Sequence, residues 1–243
     1  MTPALEAIGI VKQFGAIRVA NDIHFRLDPG ARHALIGPNG AGKTTFVNLL
    51  TGGIAPSAGR ILLNGQDVTR ASQAARARRG LARTFQINNL FPALSVLENV
   101  RLAVGEHRGL LTARRALVEE AFHTLARLGL DQDASAVVRE LPYGKQRLVE
   151  IAIALAAEPT VLLLDEPAAG VPGGESGIIF DVIEQLPAGM AVLMIEHDMD
   201  LVFRFARRIT VLVRGSILVE GTPDEIAADP RVREVYLGTR AHE

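Results

Sequence analysis

The 243-residue chain has no cysteine and no tryptophan, only two tyrosines, and a formal net charge of -1. Without cysteine there is no disulfide framework and no thiolate metal site, which fits a reducing cytoplasm. A near-neutral charge supplies no bulk basic field, and so few large aromatics leave little for base stacking, so nucleic acid is not expected as a partner. The longest apolar runs, Ile151 to Ala157 and Ala188 to Ile195, fall far short of the roughly 18 residues that mark a membrane span. The N-terminus lacks the basic start and apolar stretch of a signal peptide. Any membrane role is therefore expected to run through a partner. The six histidines show no metal-ligand spacing, and neither an internal repeat nor a low-complexity linker is present.

What is there is a core-forming composition, 48% hydrophobic, enough for one large α/β domain or a core with an insertion. Short β-like segments run from Leu5 to Phe14 and from Ile23 to Leu27, ending in the turn Asp28-Pro29-Gly30. Ile61-Leu62-Leu63 followed by Asn64-Gly65 reads as a strand entering a tight turn. The middle of the chain turns helical: Ser95 and Glu98 form a capping box ahead of a short helix from Val96 to Val104. From Ala113 to Leu128, Leu117, Ala121, Leu125 and Leu128 recur at helical spacing. Three apolar runs, Val161–Leu164, Val192–Ile195 and Ile209–Val213, then mark strands buried on both faces of a parallel sheet.

The strongest motif is Gly37-Pro38-Asn39-Gly40-Ala41-Gly42-Lys43-Thr44, with Thr45 opening the helix behind it. It matches the phosphate-binding P-loop, in which glycines let successive backbone N–H groups point at a polyphosphate and a helix N-terminus adds its positive end. Lys43 is expected to reach the β- and γ-phosphates and Thr44 to hold Mg²⁺. Val161–Leu164 ends in Asp165-Glu166, the form of a Walker B strand; Asp165 is expected to hold Mg²⁺ through water and Glu166 to polarise the attacking water. The next strand ends in Ile195-Glu196-His197-Asp198, where His197 can hydrogen-bond a departing γ-phosphate. Gln86, in Arg83-Thr84-Phe85-Gln86, is a neutral group suited to Mg²⁺ and water. Arginines near 76, 78, 79 and 83, and again at 204, 207 and 208, read as solvated faces.

That order, with Leu141-Pro142-Tyr143-Gly144-Lys145-Gln146-Arg147 just before an apolar helix, resembles the ATP-binding cassette (ABC) ATPases across essentially the whole chain. The resemblance implies an α/β P-loop NTPase fold of the ABC type: a mostly parallel sheet core, an N-terminal antiparallel β subdomain and an inserted helical subdomain. The implied division is a core of residues 1–86 and 158–221, an inserted signature subdomain of 87–157, and a short C-terminal helical extension, 222–243. It also implies that the segment from Leu141 to Gln146 acts on nucleotide held by an opposite subunit, and that Phe14 stacks on adenine. Gly80 to Gln86, Leu90-Phe91-Pro92, Leu94 to Val100, Asp165 to Gly170, Glu220 to Ile226 and Val235-Tyr236-Leu237-Gly238 are similar to the LivG-type subunit of branched-chain amino acid importers. Relatives serving urea or short amides look alike at these positions.

The resemblance implies a cytoplasmic ATPase, peripheral on the inner face of the cell membrane, that uses ATP and Mg²⁺. Its expected partners are a second ATPase subunit in a homo- or heterodimer, two permease subunits, and indirectly a substrate-binding protein. Ile87, Leu90, Phe91 and Leu94 are expected to dock a permease helix. The alternative is a non-transport ABC ATPase that remodels nucleic acid or a soluble complex, but its usual long coiled-coil insertions, tandem cassettes or basic surfaces are not seen; no Asn-Lys-x-Asp motif marks a GTPase either. The sequence departs from the ABC pattern at Pro142, where Ser is usual, at Lys145, where Gln is usual, and at Gly170-Val171-Pro172, where the loop lacks its partner-facing carboxylate or amide. These departures lead to an expectation of two unequal ATP sites in a heterodimer.

Overall fold

The computed structural model describes residues 1–84, 90–109, 112–171 and 173–237, the side chains of 173–176 and 237 apart. In chain order the strands are β1 (Leu5–Phe14), β2 (Ile17–Leu27), β3 (Arg32–Ile36), β4 (Ala58–Leu63), β5 (Gln66–Asp67), β6 (Leu81–Arg83), β7 (Val161–Asp165), β8 (Ala191–Ile195), β9 (Arg208–Val213) and β10 (Ser216–Gly221). The helices are α1 (Lys43–Thr51), α2 (Gln73–Ala77), α3 (Val96–Arg108), α4 (Arg114–Arg127), α5 (Tyr143–Leu155), α6 (Gly173–Glu184), α7 (Met199–Phe205), α8 (Pro223–Ala228) and α9 (Pro230–Leu237).

Among the described residues two sheets form. One has the order β10-β9-β3-β8-β7-β6 and is parallel except where β10 pairs antiparallel with β9. The other, β2-β1-β4-β5, is antiparallel. The continuous apolar runs of the parallel strands follow from burial on both faces. In β7 every residue is buried: Leu162 and Leu164 point into one cluster with α5 and α6, while Val161 and Leu163 point into another shared with α1 and the antiparallel sheet. That is the period-two alternation of a strand, here with two cores to fill.

The turn after β4 is built on Asn64 (φ 50°) and Gly65 (φ 79°), the paired positive dihedrals of a tight hairpin. Ser95 and Glu98 make the reciprocal capping box at the head of α3: Ser95 N donates to Glu98 Oε2 at 2.8 Å, and Glu98 N donates to Ser95 Oγ at 3.2 Å. The helix runs on to Arg108, one turn past the expected end. On α4, Ala121 and Leu125 are fully buried and Leu117 is partly so, as the spacing requires. The helical elements α3, α4 and α5 lie between β6 and β7 in sequence, so strands on either side of them meet in one sheet and bring the residues of the phosphate loop and the two acidic strand ends together.

Candidate functional site

The P-loop joins β3 to α1. Gly37 must be glycine because a Cβ there would lie 2.2 Å from Leu212 O; Gly42, at φ 102°, would bring one within 2.9 Å of Val19 O. The loop is thus pressed against β9 and β2 on its outer side, and its residues line a cleft of ≈ 490 Å³. Gly40, Gly42, Lys43, Thr44 and Thr45 line that cleft together with Glu166, Arg214 and the strand segment Ile17–Val19. Asn39 and Ala41 line it as well.

Lys43 Nζ donates to Gly37 O at 2.6 Å and to Pro38 O at 3.1 Å, folding back over its own loop. Burial lowers its pKa, and the neighbouring Glu166 and Asp165 carboxylates oppose that shift. The lysine is therefore within the field of both acids. Asp165 ends β7 and is buried, and Glu166 follows with φ 48°, a left-handed conformation that a glutamate adopts at a cost of about 1 kcal/mol. Glu166 N donates to Ile195 O at 2.9 Å, so the end of β8 fixes the turn that aims its side chain into the cleft.

Beyond β8, Glu196 is buried and His197 is exposed. Burial raises the Glu196 pKa, against hydrogen bonds from the N–H groups of His197 and Ala168. Its carboxylate accepts His197 N at 3.1 Å and Ala168 N at 3.4 Å. One side chain thus spans the loop holding His197 and the turn two residues after Glu166. Nothing in the sequence singled it out beyond its place beside His197.

Phe14, at the end of β1, is 51% exposed, with Lys12 Nζ 4.7 Å from its ring centroid. That disposes of a core role for the ring. The first signature residue, Leu141, is buried. Pro142 takes the N-cap of α5 with no side-chain cap, and Gln146 Nε2 donates to Leu141 O at 2.9 Å. Lys145 Nζ sits on Asp133 at 2.7 and 2.8 Å, so its charge is engaged within its own chain. Gly144 is buried, whereas Tyr143 is 37% exposed and lies against Gly170. Gln86, Ile87, Pro172 and Gly238 lie outside the described residues. Leu90 is buried in the core, which removes it from the expected docking surface; Phe91 is 56% exposed.

Two arginines depart from the solvated-face reading. Arg76 is 1% exposed, because its guanidinium donates to the carbonyls of Leu49 and Leu50 at 2.7 and 2.6 Å and to Thr69 and Ala71 at 3.0 and 3.2 Å. It neutralises the C-terminal end of the P-loop helix. Arg83 pairs with Asp165 at 2.6 Å. Arg204 stays exposed and pairs with Asp181 and Glu184 at the surface.

Tyr236, on α9, was noted in the sequence only as part of a terminal resemblance. Burial pushes its phenol pKa up to about 12, and the nearby Gly37 backbone N–H opposes that shift. The C-terminal helix thereby comes beside the first residue of the P-loop.

Residues 20–169 match the ABC transporter family model, and residues 216–242 match the model described as branched-chain amino acid ATP-binding cassette transporter. The chain belongs to the ABC transporter family. The cassette is 39% identical to the high-affinity branched-chain amino acid transport ATP-binding protein LivG of Escherichia coli, over 97% of this chain and 98% of the relative. It is 36% identical to BraF of Pseudomonas aeruginosa, a protein of the same description, again over 97% and 98%. Among solved structures it matches the ADP conformation of MJ1267, an ATP-binding cassette of an ABC transporter, with a TM-score of 0.87 and 31% identity over 98% of this chain and 100% of that one.

The cassette is an ATPase of α/β architecture, and the expected parallel core with an antiparallel sheet and helical elements is what the strands form. Mg²⁺ fits the donor set. Mg²⁺ takes oxygen ligands, needs only one or two from protein, and completes its shell with water and phosphate. Asp165 and the exposed Thr44 beside the cleft supply oxygens of that kind.

Proposed function

We propose that the cassette is the ATP-hydrolysing subunit of an importer for branched-chain or other hydrophobic amino acids, or a related small amide, acting through separate permease subunits on the inner face of the membrane. The observation that carries the hydrolytic half of this reading is the convergence of Lys43, Thr44 and Glu166 on one cleft, with Asp165 beside them. The likeness to LivG and BraF over nearly the whole chain supports the transport half.

In the proposed reaction the P-loop N–H groups from Gly40 to Thr45 bind the phosphates, and Lys43 leaves the Gly37 and Pro38 carbonyls to take up the β- and γ-oxygens. Phe14 offers its exposed face to adenine. Thr44, Gln86 and Asp165 would hold Mg²⁺, which when bound would supply charge neutralisation for the transferring phosphoryl group. Glu166 orients and deprotonates the attacking water, and His197 donates to the γ-phosphate from the end of β8. The signature from Leu141 to Gln146 serves nucleotide bound to a second cassette, so ATP drives closure of the dimer by binding the closed form more tightly. Residues 87–157 are the inserted unit that carries the signature and receives the permease, and residues 222–243 are a short C-terminal extension.

Glu166→Gln tests the assignment. It removes the base but keeps the shape, so hydrolysis by the assembled complex should fall at least about 100-fold while ATP affinity is retained. Full turnover in that variant would refute the role given to Glu166.

A further inference from the structure

Asp165 is 4% exposed and ends β7 beside the cleft. Its Oδ2 accepts a hydrogen bond from Arg83 Nη2 at 2.6 Å, and the two side chains are 3% and 11% exposed. The other arm of the guanidinium, Nη1, donates to Asn48 Oδ1 at 2.7 Å. Asn48 lies on α1, the helix that opens with Lys43 and Thr44. One arginine thus ties the metal-side carboxylate to the P-loop helix.

A buried carboxylate beside Glu166 needs a compensating charge. Lys43 exerts an attractive field on both acids, but its ammonium is hydrogen-bonded to the Gly37 and Pro38 carbonyls. The direct ion pair is left to Arg83. A divalent cation served by the same carboxylate would place like charges on one acid in a poorly screened site, where their repulsion is far larger than in water.

We propose that Arg83 is the resident counter-cation of Asp165, stabilising the half-site while Mg²⁺ is absent and competing with Mg²⁺ for that carboxylate. The proposal rests on the reading of Asp165 as the metal-side acid. Arg83 is a positioning residue: it acts on bound nucleotide through Asp165 and α1. It is also the last residue of β6, three positions before Gln86.

The test is the ATP affinity of the full chain measured twice, with Mg²⁺ and with EDTA, in the wild type, Arg83→Met, Arg83→Lys and Asp165→Asn. Arg83→Met leaves Asp165 uncompensated near the phosphates when the metal is absent and removes the metal's competitor when it is present. The ratio of the EDTA Kd to the Mg²⁺ Kd should rise about tenfold, near the low end for a close desolvated charge pair. Arg83→Lys, which keeps charge without the bidentate fork, should raise the ratio about threefold, and supplies the readout should Arg83→Met fail to fold. A purely structural role weakens both affinities together, so an unchanged ratio in a folded Arg83 variant overturns the proposal. Should Asp165→Asn leave the wild-type ratio unmoved, the reading of Asp165 itself fails, and the proposal with it.

Discussion

Replacing Arg76 by Met keeps most of the aliphatic stem and removes the guanidinium that binds four backbone carbonyls. Two of these, Leu49 and Leu50, belong to the last turn of α1, where the i→i+4 ladder runs out and Leu49 O accepts, besides the arginine, the long C-cap bond from Gly52 N at 3.3 Å. Hydrogen bonds to a charged donor contribute roughly 1.5–3 kcal/mol each, and a buried carbonyl left without a donor costs about 1–3 kcal/mol. Against this, the variant no longer buries a charge, whose desolvation is visible as a lowered pKa for Arg76. The net loss expected is about 3 kcal/mol, or about 6–12 °C in Tm for a domain of this size. Equilibrium denaturation in urea should show a lower midpoint with the slope preserved. Arg76→Lys, which can reach fewer of the carbonyls, should recover part of the loss. A destabilisation under about 1 kcal/mol for Arg76→Met would refute the view that this side chain terminates the P-loop helix.

Three further outcomes follow from the structure. His33 is buried against Phe25, with ring centroids 5.1 Å apart, and its pKa is lowered to about 4, chiefly by burial. Glu220 opposes that shift and Arg208 reinforces it. The unfolded chain binds the proton from about pH 6.5 down and the folded chain only from about pH 4, so stability should fall with pH across that window, by about 3 kcal/mol in all from this group; His33→Gln should flatten the profile, and identical slopes would refute the assignment. Tyr236→Phe keeps the ring and removes the hydroxyl near Gly37 N–H, which should raise the ATP Kd about fivefold if that polar interaction contributes about 1 kcal/mol; calorimetry showing an unchanged Kd would exclude a role in shaping the P-loop. Pro142→Ser restores a hydroxyl at the N-cap of α5 and should stabilise the chain by about 1 kcal/mol while altering turnover at the partner's site; unchanged turnover would mark the proline as neutral for catalysis.

The P-loop, the buried parallel strands and the capped helix at Ser95 were legible because each depends on local chemistry: glycines where a Cβ has no room, apolar runs where both faces are covered, and a hydroxyl and carboxylate three residues apart. The arginines were not. Nothing in the stretch around Arg76 and Arg83 separates a solvated guanidinium from a buried one, because the difference lies in partners at Leu49, Leu50 and Asp165, which the fold delivers from far along the chain. Leu90 misled for the opposite reason. An apolar residue between a glutamine and an exposed Phe91 looks like surface until the packing of the helical elements closes over it. Tyr236 could be noticed as part of a terminal motif, but its contact with Gly37 joins residues some 200 positions apart, and no local pattern records that.

The departures at Pro142 and in the Gly170-Val171-Pro172 loop looked in sequence like separate losses from two loops. In the structure the residue after Pro142 and the first residue of that loop meet in one contact. Tyr143, which follows Pro142, packs against Gly170, where a Cβ would stand 3.4 Å from the ring. Arg147, one turn further along α5, stacks over the same ring with 5.2 Å to the centroid and reaches Ala169 O at 3.5 Å. It is held there by Glu150, at 2.7 Å in a buried ion pair, and burial raises the pKa of that acid. A Cβ at 170 would meet Tyr143 at ordinary contact distance, but φ 75° would strain any residue that carries one. The missing cap at Pro142 and the glycine at 170 are therefore compatible with each other: the head of α5 is anchored by an aromatic ring and a buried arginine to the loop that follows Glu166. The link between the head of α5 and the turn after Glu166 thus runs through Tyr143 and Arg147, and does not depend on the hydroxyl that Pro142 lacks.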